Sequence, residues 1–162
     1  MQQLQREPQE RRRTARVLAQ ASAAELADLW REWPDRPEVE YVRGPESGLV
    51  MVQARTGGTG DRFHLGEATA TRATVAVRSA DDEAIGTAYV LGSHPEHAAL
   101  AAIFDGLLGS VQANRVREEV IAVLEQRQNA RDAERRADAR STVVDFFTVA
   151  RENDSSDEED DE

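Results

Sequence analysis

Arg55 and Arg62 bracket a loop, Thr56-Gly57-Gly58-Thr59-Gly60-Asp61, in which three of six residues are glycine. That combination suits oxyanion chemistry. Glycines let main-chain N–H groups converge on a phosphate, and guanidiniums add planar, permanently charged donors. Arg72 shares a strand face with Thr74 and is a third cation for the same anion, or else the ion-pair partner of Glu67. The loop is no Walker motif, because no Lys-Ser/Thr follows. It is no dinucleotide fingerprint, because the glycine spacing is wrong and the next segment reads as a strand. The competing reading is a hairpin connection whose glycines take positive φ. Spacing alone favours the hairpin.

Few other side chains offer chemistry. His94 and His97 stand three apart near a helix start and, with Glu96 or His64, make half of a zinc site; surface or capping roles are the simpler expectation, and His64 between Phe63 and Leu65 reads as structural. No metal site is expected. The chain has no cysteine, which removes thiolate metal sites, disulfides and a cysteine nucleophile. It also has no lysine, so Schiff-base and Walker-lysine chemistry are excluded, and all 20 basic residues are arginine. A chain so poor in reactive groups reads as a subunit that positions something, with no catalytic residue of its own.

Charge narrows the partners. The net charge is -11, but the tail Glu152–Glu162 holds eight acids and no base, leaving -3 on the rest. The body is a mixed-charge surface, which gives no support to nucleic-acid binding. The tail reads as disordered and self-repelling. No 18-residue apolar run or secretory leader is visible, so a cytoplasmic protein without a membrane span is expected.

The elements that must hold the loop follow from periodicity. Residues 1–10 are expected to be disordered, residues 11–151 to form a single domain, and 152–162 a disordered tail. A short helix is expected over Arg11–Gln20. A second begins at Ser22, where Glu25 completes a capping box, and carries Leu26, Leu29, Trp30 and Trp33 inward until Pro34. Strands are expected at Val39–Arg43, Leu49–Arg55, Thr69–Arg78 and Ile85–Leu91, with a further short one at Arg62–Leu65 and a turn at 44–48. Leu49–Arg55 is apolar on both alternate sets, which predicts a central strand buried on two faces.

Pro95 opens a helix whose stripe is Leu100, Phe104, Leu107, Leu108 and Val111, with Gly106 and Gly109 permitting close packing. Asn114 is a candidate cap for a long charged helix with Val116, Val120, Val123 and Leu124 inward. Past Gln126 that helix has little apolar content, so it is either solvated or covered by a partner. The apolar run Val143–Val149, containing Val144, Asp145, Phe146 and Phe147, either folds back on the core or docks elsewhere. The fold class expected is α+β: two N-terminal helices, an antiparallel β-meander of about four strands, and C-terminal helices on one face.

Three ordered motifs resemble the G subunit family (PhnG) of the carbon–phosphorus lyase complex. The first runs from Ala54-Arg55 through Gly57-Gly58-Thr59-Gly60, Phe63 and Glu67 to Thr69-Ala70-Thr71-Arg72. The second runs from Gly86 to Gly92, then His97-Ala98, Ala101-Ala102 and Asp105. The third is Val144-Asp145-Phe146-Phe147-Thr148 with Arg151. Ser93 and Ala99 depart from the family pattern, which often has an arginine and an acid there, and the acidic tail lies outside it.

The resemblance implies a hetero-oligomeric complex with the H, I and J subunits. With H, I and L, the chain would be required to transfer ribose 5-triphosphate from ATP to a phosphonate, releasing adenine. The I subunit would be the catalyst, J would later break the C–P bond, and ATP would be a substrate of the complex rather than a cofactor of this chain. The preferred role is assembly, with the glycine loop and the Val143–Val149 segment contacting the I subunit. The alternatives are arginines contributed to a shared triphosphate or phosphonate site, and a free-standing anion-binding module.

Overall fold

The computed structural model describes residues 7–80 and 82–141. Helix α1 (Pro8–Gln20) starts three residues before the expected Arg11. Pro8 explains the difference, since a residue without an N–H suits the first helical turn. Helix α2 (Ala23–Glu32) starts at the expected capping box. Glu25 N–H donates to Ser22 Oγ (3.1 Å), and Ser22 N–H donates to the Glu25 carboxylate (2.9 Å).

Strands β1 (Glu38–Arg55), β2 (Arg62–Ser79) and β3 (Asp82–Leu91) form one antiparallel sheet in that order. The sheet has three strands rather than about four, because two expected breaks are not turns. Residues 44–48 continue β1. Pro45 is accommodated there because β1 is an edge strand, where an N–H can be missing, and the register slips between Tyr41, Arg43 and Glu46. Arg62–Leu65 and Thr69–Arg78 are one strand, interrupted only by a bulge opposite Val52 and Gln53, beside Gly66 at φ +155°. The expectation that Leu49–Arg55 is a central strand buried on two faces is overturned. No residue of β1 is buried. An apolar run reports that something covers it, not that the same chain does.

The core lies on one face of the sheet. Thr71, Ala73, Val75 and Val77 of β2, with Ala84, Ala88 and Val90 of β3, face helix α3 (Pro95–Leu107). Every residue of α3 from His97 to Leu107 is buried, because α1 and α2 pack on it as well. Glycine makes this possible. A Cβ on Gly86 would lie 1.9 Å from the Ala102 carbonyl oxygen and 2.3 Å from Gly106 N, so α3 rests directly on the β3 backbone. Phe104 meets Trp30 and Trp33 edge-on at 6.0 and 5.8 Å.

Three details differ from the sequence reading. α3 ends at Leu107, so Val111 is exposed rather than on its stripe. Asn114 lies inside helix α4 (Ala113–Val116), whose N-cap is Gln112. A π-helical turn at Arg117–Ile121 then rotates the stripe, so Ile121 joins Val116, Val120 and Leu124 in the core in place of Val123. Helix α5 (Ala122–Ser141) is tied to α1 by Gln128 Nε2, which donates to Val17 O (2.9 Å), and to α2 by Arg131, which pairs with Glu25 (3.2 Å). Its residues 132–139 are exposed, as the scarcity of apolar residues there predicts. The segment Val143–Val149 and the acidic tail lie outside the described residues. No helix among the described residues is long and apolar enough to cross a membrane.

Candidate functional site

The last rung shared with β3 is Ala70 opposite Leu91. Beyond it β1 and β2 pair only with each other, from Leu49/Thr69 to Arg55/Arg62. At the usual rise per residue this two-stranded arm projects roughly 20–25 Å past β3. Alternation gives it two faces. Leu49 and Met51 extend the helix-covered side, whereas Val50, Val52, Ala54 and Phe63 extend the opposite one. Both are open: Leu49 is 66% exposed, Met51 54%, Leu65 65%, and Val50 and Phe63 44% each. An isolated two-stranded ribbon is marginal in water, and an apolar patch of this kind marks a contact surface.

The arm is anchored at its root by Thr71, which is fully buried. Its hydroxyl donates to Gly92 O (2.6 Å), accepts the His94 N–H (2.9 Å) and meets Ser47 Oγ (2.8 Å), which in turn meets Ser93 Oγ (3.1 Å). Gly92 N–H donates to Thr69 O (2.7 Å), which locks the end of β3 to the start of the arm. Sequence reasoning quoted Thr71 within a motif but missed this role. The available signal was a hydroxyl on the inward face of an otherwise apolar alternation.

The tip is the glycine loop. Gly57 (φ +58°) and Gly58 (φ +82°) take the left-handed conformation that the hairpin reading requires. The Thr59 and Gly60 N–H groups both donate to Thr56 O, so they are spent inside the turn rather than offered to a ligand. Of the predicted cradle, the side chains remain. Arg55 and Arg62 stand directly opposite each other on one rung, with Gln53 and His64 opposite on the next position of that face. Arg55 Nη1 donates to Gly60 O (3.2 Å), and Gln53 Nε2 donates to His64 Nε2 (3.0 Å). Neither arginine has an ion-pair partner among the described residues.

Arg72 does not converge with them. It lies on the opposite face, nine rungs back, roughly 30 Å away. Its Nε and Nη2 both reach Glu46 Oε1 at 2.6 Å. Its ion partner is therefore Glu46 rather than Glu67, which opposes Met51 on the other face. Glu46 first, then Tyr89, push the Arg72 pKa above its ordinary value, so this cation is already engaged. Glu46, Gly48, Val50, Ala70, Arg72 and Tyr89 line an open hollow of about 360 Å³ at the arm's base.

The other candidates are structural. His97 is buried and its Nε2 meets Leu18 O at 2.9 Å, which ties α3 to α1. His94 is the N-cap residue of α3. Buried Asp105 accepts the Thr87 N–H at 3.0 Å, holding α3 to β3. Of the two departures from the family pattern, Ser93 joins the root network and Ala99 is buried. Among the described residues no group of three or more His, Asp or Glu is placed to hold a metal ion.

Fold and site thus define an α+β chain that presents an uncovered β-arm ending in two arginines. The chain matches the family described as phosphonate metabolism protein PhnG over residues 9–152. It is also 42% identical over 145 residues to the alpha-D-ribose 1-methylphosphonate 5-triphosphate synthase subunit PhnG of Rhizobium meliloti (strain 1021), covering 90% of this chain and 91% of that relative. The chain belongs to the PhnG family.

Proposed function

We propose that this chain is a subunit of a phosphonate-processing synthase complex in the cytoplasm. It acts with the H, I and L subunits, in a core that also holds J, to transfer ribose 5-triphosphate from ATP to a phosphonate with release of adenine. Its own part is to assemble and order the complex, not to carry the reaction alone. ATP is a substrate of the whole, and this chain by itself holds no cofactor. Family membership and the likeness to the Rhizobium meliloti synthase subunit support the reading.

The observation that carries the assembly role is the arm. Leu49, Val50, Met51, Phe63 and Leu65 are left exposed by the described residues, although together they would suit a protein interior. The absence of lysine and cysteine from the sequence agrees with a positioning subunit. Val144, Asp145, Phe146 and Phe147 are proposed as a second contact. The test is co-expression with the neighbouring genes of its operon, followed by size-exclusion chromatography of a tagged copy. A co-eluting complex that releases adenine from ATP only when this chain is present is expected. A folded monomer that captures no partner would overturn the proposal.

A further inference from the structure

We propose that the arm delivers Arg55 and Arg62 into the assembled complex as a two-guanidinium clamp for a phosphate or phosphonate oxyanion of the bound substrates; this rests on the subunit reading above. Two like charges directly opposite on an antiparallel ladder repel. Here no carboxylate among the described residues offsets them, and the one acid in the loop, Asp61, pairs with neither. Elsewhere on the same sheet the chain does supply counterions: Arg72 has Glu46, and Arg78 has Glu40 and Glu83. The tip is the exception.

The stem behind the tip supplies the second half of the argument. One of its faces is apolar, with Val50, Val52, Ala54 and Phe63, and Leu49 and Met51 stand exposed on the other beside Thr69 and Glu67, so the partner that covers it draws the tip out of bulk water. Guanidiniums delivered there without an anion would carry a heavy desolvation penalty. An oxyanion with several terminal oxygens meets both at once, and arginine's planar fork suits it. Gln53 and His64, adjacent on the same face, add polar groups at the edge of such a site. The geometry also discriminates among the three arginines that sequence alone grouped. Arg72 is excluded by its face, its distance and its existing partner.

The test uses the assembled complex, because the isolated tip is open to water. Arg55→Ala, Arg62→Ala and the double variant are each co-expressed with the partner subunits and compared with wild type by size-exclusion chromatography. Inorganic tripolyphosphate and methylphosphonate are then titrated separately by calorimetry at fixed ionic strength. Intact assembly is expected, with affinity for one of the two probes falling roughly tenfold per arginine removed, and with Arg→Lys variants recovering part of the loss. Loss with tripolyphosphate assigns the clamp to the ATP-derived triphosphate. Loss with methylphosphonate assigns it to the phosphonate. Unchanged affinity for both probes overturns the proposal. So does a double variant that stays folded by circular dichroism but no longer assembles, because the anion is then a carboxylate of the partner. A wild-type chain that assembles with nothing overturns the subunit reading and this proposal together, which separates that failure from the others.

Discussion

Replacing Leu49 by aspartate should leave the isolated chain almost untouched and cripple the complex. Leu49 is 66% exposed on a ribbon that no other described element covers. Fully burying a leucine is worth about 1.5–3 kcal/mol, so roughly 1–2 kcal/mol of that remains to be gained at an interface. Aspartate forfeits this gain and adds the cost of desolvating an unpaired carboxylate, about 2 kcal/mol or more even after local relaxation. The sum is at least about 3 kcal/mol, more than a hundredfold in affinity for the partner. In the free chain, where the carboxylate stays in water, the change should lie within about 0.5 kcal/mol, a shift in Tm of roughly 2 °C or less. Thermal unfolding of the monomer and titration of the partner subunit against it by interferometry read the two quantities. Leu49→Ala should fall between, with roughly a fivefold loss of affinity. A monomer that loses many degrees would mean that the arm is already folded onto its own chain. An unchanged affinity would mean that the partner binds elsewhere. Either result refutes the reasoning.

Three further outcomes are expected. Gly86→Ala places a methyl group against the Ala102 and Gly106 backbone and should cost about 3 kcal/mol, lowering Tm by roughly 10 °C in differential scanning calorimetry. Thr71→Val keeps the shape but strands the His94 N–H and Gly92 O, and should cost about 2–3 kcal/mol; faster amide hydrogen exchange in residues 47–55 would show the arm loosening at its root. The third concerns acid. The hydrogen bond and charge of Arg13 hold the Glu125 pKa below its ordinary value. At Glu25 burial alone would push the pKa up, but the Ser22 N–H and Arg131 outweigh it and the net shift is down. A carboxylate with a folded pKa below its unfolded one stabilises fully above about pH 5 and loses that contribution as pH falls through the folded value. Acid should therefore loosen the packing of α5 on α1 and α2. Glu125→Gln should flatten the pH dependence of Tm below about 5, and an unchanged profile would count against the Arg13–Glu125 pair.

What the sequence made legible was local. The capping box at Ser22 and Glu25, the alternation from Thr71 to Val77 and the glycines between β3 and α3 each encode a contact within a few residues or a steric need that only glycine meets. The largest error has a plain physical source: the signal for burial does not say who does the burying. Leu49–Arg55 has the pattern of an interior strand, but the described residues bury none of it. Arg72 was misplaced for a different reason. Ladder alternation puts it on the face away from Glu67, and the fold brings Glu46 to it from 26 residues back in the chain. That pairing depends on the register of a hairpin whose bulges the sequence did not announce.

The loop bears out the hairpin reading that its spacing favours and separates the work of its glycines from that of its arginines. Its glycines are used to close a hairpin, and two of the N–H groups that a phosphate nest would need are bonded to Thr56 O. Under the proposed clamp, anion binding falls to Arg55 and Arg62, which the turn sets opposite each other. This division of labour assigns different consequences to neighbouring residues. Gly57→Ala strains a backbone at φ +58° in open space, so it should disturb the turn and only indirectly the clamp. Arg62→Ala leaves the turn alone and removes one guanidinium. If affinity for phosphate oxyanions in the complex follows Arg62 more steeply than Gly57, the side chains carry the binding. If it follows Gly57 more steeply, main-chain donors carry it, and the turn must open when the arm is seated.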